Sequence, residues 1–542
     1  MFWADELAAS ATAAQVVNDS KTPSGTVHVG SLRGPVVVDT ITRALRDAGV
    51  PVELRYGVDD LDPMDAQALL TPDAIERFMG VPLSAVPDPA GDCHASYARH
   101  FAGVFVDTFD GLGIRPDTYY WMSEVYGSGA MDRYIRRALD AAATIREIYV
   151  RVAKVRHPDD WHPLFVICES CGRIGTTIVT RWDGERVHYE CRPDLVTWAR
   201  GCGNAGDVSP FGGSAKLPYN VDWAAKWDLF GVTIEPAGKD LSTAGGSRDR
   251  SDAIAREVFG NEPPRNVPYE FLNIGGKKMS TSKGLGASAV QIVDVIPPEQ
   301  LRLLFLRPKP NTAIEFDPDG TDAIPRLFDE SDRLAAGTAG REVRGELPAD
   351  HERLFAASLV EPDADVAAEA AAYRPAFSHL ALLEQIPGAD VVERVTAEKG
   401  SPLTDRERAI VEERRAAARA WLEAYAPDRA RLAVQHDALP PAAAELDEPQ
   451  RAYLAALAPA LESGTWDGER VQAAIFATAA EHDLPAGRAF AALYLAFLGR
   501  PSGPRAGWLL AALDRNFVIG RLREAAADEN LPSPDEMTGR DR

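Results

Sequence analysis

Nowhere does the chain run to about 18 uninterrupted apolar residues, so it offers no membrane span. Its first residues, Met1-Phe2-Trp3-Ala4-Asp5-Glu6, lack a basic region followed by an apolar one. That excludes the pattern of a secretory signal and makes the cytoplasm the expected compartment. Cysteine is scarce: five in 542 residues are too few for a disulfide scaffold, and four of the five cluster. In a reducing compartment such a cluster points to metal. Basic charge is short as well, with 58 Lys and Arg against 81 Asp and Glu and a net charge of -23. This argues against broad, nonspecific nucleic-acid binding and leaves room only for a local basic surface. No period of about 20 to 50 residues recurs, which excludes a solenoid.

What is present describes a globular protein, 45% apolar and 26% charged, too long for one core; about two to four domains are expected. A short entry strand is predicted at 15–17, and a helix over 29–48 with Val29, Leu32, Val36, Ile41, Leu45 and Ala48 near one face. Gly49 stops it, and 51–58 reads as the next strand. Strand, glycine loop, helix, strand is the crossover unit of a parallel sheet. A basic helical stretch follows over 131–156, carrying Arg133, Arg136, Arg137, Arg146, Arg151, Lys154 and Arg156, either a solvated face or an RNA contact. From about residue 331 the texture turns to Ala, Leu, Arg and Glu at helical spacing, with helices expected at 406–425, 469–481 and 487–498. Pro427, Pro440-Pro441, Pro485 and Pro501-Ser502-Gly503-Pro504 divide them.

Two stretches carry phosphate chemistry. Lys277-Lys278-Met279-Ser280-Thr281-Ser282-Lys283-Gly284 offers movable positive charge, hydroxyl donors and a turning glycine, suited to gripping a polyphosphate. Pro23-Ser24-Gly25-Thr26-Val27-His28-Val29-Gly30-Ser31 lies where a strand hands over to a helix, whose first N–H groups are open to phosphate. Cys168, Cys171, Cys191 and Cys202 supply four thiolates, enough to close a tetrahedral structural Zn²⁺ shell with no position left for water. Cys93, His94 and His100, with Asp88 or Asp92 as the fourth ligand, form a second candidate site, with Cys93 and His100 on one face of a helix starting at 93. Asp59-Asp60-Leu61-Asp62 follows the second strand at its C-terminal end, the edge where open parallel sheets bind ligands. Asn220-Val221-Asp222-Trp223 and Tyr269-Glu270 pair carboxylates with aromatic faces, a combination suited to a cationic ligand.

These two stretches, together with Gly238-Lys239-Asp240, Gly245-Gly246-Ser247 and Pro268-Tyr269-Glu270, resemble the class I lysyl-tRNA synthetases over nearly the whole chain. The resemblance implies a Rossmann-type parallel-sheet α/β catalytic domain at 1–150 and 216–330, split by a zinc-binding insertion at 151–215. An all-helical anticodon-binding domain follows at 331–542. It implies a lysine–tRNA ligase of protein biosynthesis that uses ATP with Mg²⁺ and takes L-lysine and tRNA(Lys). His28, Gly30 and Ser31 would lie by the ATP, with Lys278, Ser280, Ser282 and Lys283 around the pyrophosphate; Lys278 and Lys283 are both candidates to steady it. Gly25, Thr26, Trp223 and Tyr269 would recognise lysine, with Gly238 and Asp240 beside the substrate. Charge alone adds Asp60 and Asp222 for the ε-ammonium. The rival readings are another class I amino-acid ligase and a noncatalytic RNA-binding paralogue.

Overall fold

Strand β1 (Gln15–Lys21) pairs in parallel with β2 (Val52–Val58), and β2 pairs in parallel with β3 (Thr118–Trp121), so β2 lies between the other two. The computed structural model describes residues 1–65, 71–91, 93–274, 277–278, 295–386, 390–432, 434–463 and 465–527. The sheet continues past β1 through parallel bridges from Val17 to Ile234 and from Ile234 to Arg265. The chain therefore leaves β1 toward β2 on one side and meets Ile234 on the other, a topological switch point at β1.

A 3₁₀ turn, Val29–Leu32, and the helix Arg33–Asp47 connect β1 to β2. The predicted helix over 29–48 thus opens with a tight turn, and its last expected core residue, Ala48, is exposed because the chain has already left the helix for Gly49 at φ +73°. Val36, Ile41 and Leu45 are buried as their spacing predicts. Thr40 and Thr42, on the same buried helix, return their hydroxyls to the carbonyls of Val36 and Val38, at 2.7 Å each. The basic stretch forms two helices, Asp132–Asp140 and Ala142–Ala153.

The insertion is built from short antiparallel pieces. β4 (Phe165–Val166) pairs with β8 (Ala215–Lys216), and β5 (Thr177–Trp182), β6 (Val187–Cys191) and β7 (Ala205–Val208) make a meander. Helix Tyr219–Phe230 returns the chain to the parallel sheet, followed by the parallel pair β9 (Ala237–Gly238) and β10 (Pro268–Tyr269). β11 (Leu272–Ile274) pairs antiparallel with β12 (Lys277–Lys278) and parallel with β13 (Ile314–Glu315).

The chain forms two compact units, one of residues 1–317 and 340–366, the other of 318–339 and 367–542. The described part of the second is helical, including Ala323–Thr338, Asp405–Ala424, Gly468–Glu481 and Ala486–Leu498. Its helix starts are written in the sequence: Thr404 with Glu407 and Asp447 with Gln450 form capping boxes, and Asp467 accepts from the Arg470 N–H. Tyr453, Leu457, Ile475, Leu493, Leu510 and Leu522 belong to its core.

Candidate active site

The first signature lies at the C-terminal end of β1. Gly25 has φ +146°, a conformation other residues rarely adopt, and it is buried while Thr26 beside it is exposed. His28 is extended and N-caps the 3₁₀ turn; Ser31 donates its N–H back to the His28 carbonyl at 2.9 Å. His28, Gly30 and Ser31 are half-buried at this helix entrance, and the following residues from Leu32 are buried.

Arg33 ties this entrance to the second signature. It is fully buried, and its guanidinium donates to the carbonyls of Glu270 at 2.6 Å, Thr312 at 2.9 Å and Pro310 at 3.0 Å. These carbonyls precede β11 and β13, and β11 pairs with β12, on which the lysine loop begins. Burial lowers the Arg33 pKa to about 10, so it stays charged at neutral pH. Sequence reading passed over Arg33; its signal was an arginine directly before the apolar run Gly34-Pro35-Val36-Val37-Val38. Lys278 sits on β12, paired through its backbone with Asn273. Ser280, Ser282 and Lys283 lie outside the described residues.

The carboxylates assigned to lysine are taken up elsewhere. Asp60 is 1% exposed, and its two oxygens accept from the Ser123 N–H and hydroxyl at 2.7 and 2.5 Å. Asp222, equally buried, accepts from the Tyr126 hydroxyl at 2.5 Å and lies 3.4 Å from the Lys226 ammonium. Lys226 also meets Asp59 at 2.7 Å, and Lys216 meets Asp62 at 2.8 Å. Trp223 points inward as well, donating its Nε1–H to Glu235 at 3.0 Å.

Asp19 differs. It is half-buried on β1, accepts from the Ser20 N–H at 2.9 Å, and enters no ion pair among the described residues. A Cβ placed on Gly34 would come within 2.9 Å of its Oδ2 and 3.0 Å of the Tyr269 hydroxyl. Glycine at 34 therefore leaves carboxylate and phenol facing the same small space. Desolvation first, and then the charge of Glu235, raise the Asp19 pKa to about 7. The polar run Asn18-Asp19-Ser20-Lys21 closing a strand was the signal in the sequence. Nearby, Gly238 has the Asp240 carboxylate 3.0 Å from where its Cβ would be and the Tyr269 ring at 3.9 Å. Lys239 pairs with Glu270 at 2.6 Å.

The thiols of Cys168, Cys171, Cys191 and Cys202 lie within 4.8 Å of one another. Cys168–Cys202 and Cys171–Cys191 are separated by 3.6 and 3.7 Å, close to the edge of about 3.8 Å in a tetrahedron with ~2.3 Å metal–sulfur bonds. The Cys168–Cys171 turn closes through Gly172 at φ +71°, and β6 ends on Cys191. Four sulfurs at this spacing suit a closed Zn²⁺ shell. Asp88, Cys93, His94 and His100 also converge within 4.8 Å, with the Cys93 sulfur 3.0 Å from Asp88, 3.1 Å from His94 and 3.3 Å from His100. Of the two candidate fourth ligands the cluster contains Asp88; Asp92 lies outside the described residues. The helix here begins at Tyr97 rather than 93, because Ser96 is its N-cap and accepts from the Arg99 N–H. Only His100 of the group is helical, and Cys93 and His94 come from the preceding turn. Tyr97 donates its hydroxyl to the Ser24 carbonyl at 3.2 Å, linking this cluster to the first signature.

The basic helices hold their charge against protein partners: Arg137 meets the Val258 carbonyl at 2.7 Å, Arg146 the Trp161 carbonyl at 2.8 Å, and Arg151 pairs with Glu257. No described helix is long and apolar enough to cross a membrane.

A family model described as tRNA synthetases class I (K) matches residues 1–360, and one described as an anticodon binding domain matches 427–526. The lysine–tRNA ligase of Archaeoglobus fulgidus is 34% identical over 537 residues, covering 97% of this chain and 100% of that protein. Its counterpart in Methanosarcina barkeri is 33% identical over 547 residues, covering 97% of each. That of Methanocaldococcus jannaschii is 32% identical over 541 residues, covering 96% of this chain and 99% of the relative.

Proposed function

The chain belongs to the class I tRNA synthetase (K) family, and from that premise we propose that it is a lysine–tRNA ligase. The observation that carries this reading is correspondence to such ligases along 97% of the chain, with a catalytic and an anticodon-binding match in the same order. An oxygen of the lysine carboxylate attacks the α-phosphorus of ATP, and pyrophosphate leaves. The terminal 2′-hydroxyl of tRNA(Lys) then attacks the carbonyl of lysyl-adenylate, and AMP leaves. Both steps are displacements that need orientation and charge stabilisation rather than a covalent nucleophile.

In this reading His28, Gly30 and Ser31 lie beside the ATP at the helix entrance, and Mg²⁺ would supply charge neutralisation on its phosphates. Lys278, Ser280, Ser282 and Lys283 close on the pyrophosphate, carried on strands that Arg33 holds to the first signature. Gly25, Thr26, Tyr269, Gly238 and Asp240 surround the amino acid. Asp19 takes the ε-ammonium, since an ammonium buried without a countercharge would cost several kcal/mol, and Asp60, Asp222 and Trp223 support the floor beneath. Cys168, Cys171, Cys191 and Cys202 hold one structural Zn²⁺, and Asp88, Cys93, His94 and His100 hold a second ion behind the Ser24 loop. ATP–pyrophosphate exchange against a panel of amino acids tests the reading. Exchange with lysine alone is expected. Exchange with another amino acid would make the chain a different class I ligase, and none at all would favour a noncatalytic RNA-binding paralogue.

A further inference from the structure

A cavity of about 410 Å³ opens between the insertion and the parallel sheet. Its walls are mostly apolar and aromatic. His157 and Trp161 stack with centroids 4.0 Å apart and planes 11° from parallel, and Tyr149 stands edge-on to His157 at 5.1 Å. Trp198 and Tyr219 also line it, Trp198 lying over Gly175 so closely that a Cβ there would come within 2.5 Å of its ring. Burial, and then the charge of Arg146, lower the His157 pKa, so the imidazole is neutral at pH 7 and presents a flat uncharged ring.

Three substrates must be housed, and the walls discriminate among them. No residue of either phosphate-binding signature lines the cavity, so the ATP phosphates lie elsewhere. Nor does it suit a lysine ammonium. Its one carboxylate, Asp62, is already paired with Lys216 and accepts the Thr22 hydroxyl at 2.6 Å. A flat, neutral heterocycle remains. The same Asp62–Thr22 contact places the cavity beside the site, because Thr22 directly precedes the Pro23–Ser31 signature.

We propose that this cavity receives the terminal adenine of the tRNA acceptor end, stacked between Trp198 and the His157–Trp161 pair, so that its ribose hydroxyl reaches the adenylate at the first signature. Aromatic side chains are the usual platforms for unpaired bases. The insertion then has a defined role. Its strands and loops carry Phe165, Ile178 and Trp198 to the cavity, and the four-cysteine cluster holds those strands in register. This inference rests on the ligase reading above and extends it to the acceptor end.

The test uses the full-length protein, its Trp198→Ala and Trp198→Phe variants, and tRNA(Lys) ending in CCA or in CCC. Trp198→Ala is expected to leave lysine-dependent pyrophosphate exchange within about twofold, yet to lower kcat/KM for charging CCA-ended tRNA by roughly tenfold, the scale of one lost base stack. The preference for CCA over CCC should shrink in that variant and recover in Trp198→Phe. An unchanged preference, or exchange falling as far as charging, would overturn the proposal. A tRNA ending in 2-aminopurine gives a readout that needs no variant to fold: binding to the unaltered protein should quench its fluorescence, and an unquenched complex overturns the proposal. Absence of lysine exchange in the unaltered protein would instead remove the ligase reading, while the quenching still reports on the cavity.

Discussion

A single carboxylate, Asp19, is only half-buried, makes no ion pair among the described residues although the Lys21 charge acts on it, and has a phenol neighbour, a combination that Asp60 and Asp222 lack. Its pKa stands at about 7 against 3.8 for the free side chain. The sign follows directly: the folded apo protein prefers it protonated, so an ionised Asp19 destabilises the fold above pH 7 and ceases to do so as pH falls through 7 toward 3.8. A bound ammonium reverses the preference. The KM for lysine should therefore fall as pH rises from about 6 to 8, and Asp19→Asn should abolish that dependence while raising the KM for lysine and sparing that for ATP. Titrating exchange rates against lysine at several pH values measures both. Asp60→Asn should behave differently, costing roughly 1–3 kcal/mol of stability by stranding the Ser123 donors, with the lysine KM little changed; a denaturant melt beside the exchange assay separates these effects.

At the scale of elements, the two signatures work only if the β11–β13 strands and the Arg33–Asp47 helix keep one spacing. Arg33, at the start of the helix, sets it with hydrogen bonds across the gap to the carbonyls of Glu270, Pro310 and Thr312 beside those strands. Charged hydrogen bonds contribute about 1.5–3 kcal/mol each, and they do not add. Arg33→Ala should cost at least ~3 kcal/mol in a melt and lower kcat for exchange more than it raises the KM for lysine. Lys278→Ala and Lys283→Ala act later, on charge that peaks in the transition state, and at least one should lose about 2.7–4 kcal/mol of transition-state stabilisation with binding less affected. Unchanged turnover in both would remove the loop from the mechanism. The insertion is expected to depend on its cysteines, because its strands of two to six residues share the core of the first unit rather than forming one of their own. Elemental analysis should find one Zn²⁺ lost in Cys171→Ser, and a second ion lost in His100→Ala. Zinc unaffected by His100→Ala would leave the four-cysteine site alone.

For the whole molecule, the two units are interleaved in sequence, since helix Ala323–Thr338 belongs to the second while 340–366 returns to the first. Within the second unit Phe328 stacks on Phe377 at 4.2 Å, and Arg414 pairs with Asp332. A fragment ending at residue 366 would keep the first unit intact but expose Phe328 and strand Asp332. It should aggregate unless 318–339 is removed as well, which size-exclusion chromatography of the two fragments decides. The net charge of -23 makes long-range attraction of tRNA weak, so recognition depends on short-range contacts of the kind the aromatic cavity offers.

By itself, the sequence determined the elements and the chemistry that local pattern dictates. The β1–helix–β2 unit follows from strand and helix periodicity closed by Gly49, helices of the second unit over 406–425, 469–481 and 487–498 from their spacing between prolines, and both candidate ligand clusters from residue type and spacing. Tertiary structure alone decided which charges are free. Asp19, Asp60 and Asp222 are the same side chain in a sequence, and only packing puts Ser123 on one, Tyr126 and Lys226 on another, and Gly34 and the Tyr269 hydroxyl close beside the third. The same holds for Arg33, whose acceptors lie more than 230 residues away, and for the cavity, whose walls come from segments far apart in the chain. Spacing along a chain records neighbours on one helix or strand, whereas the availability of a buried charge is set by partners that only folding brings within a hydrogen bond.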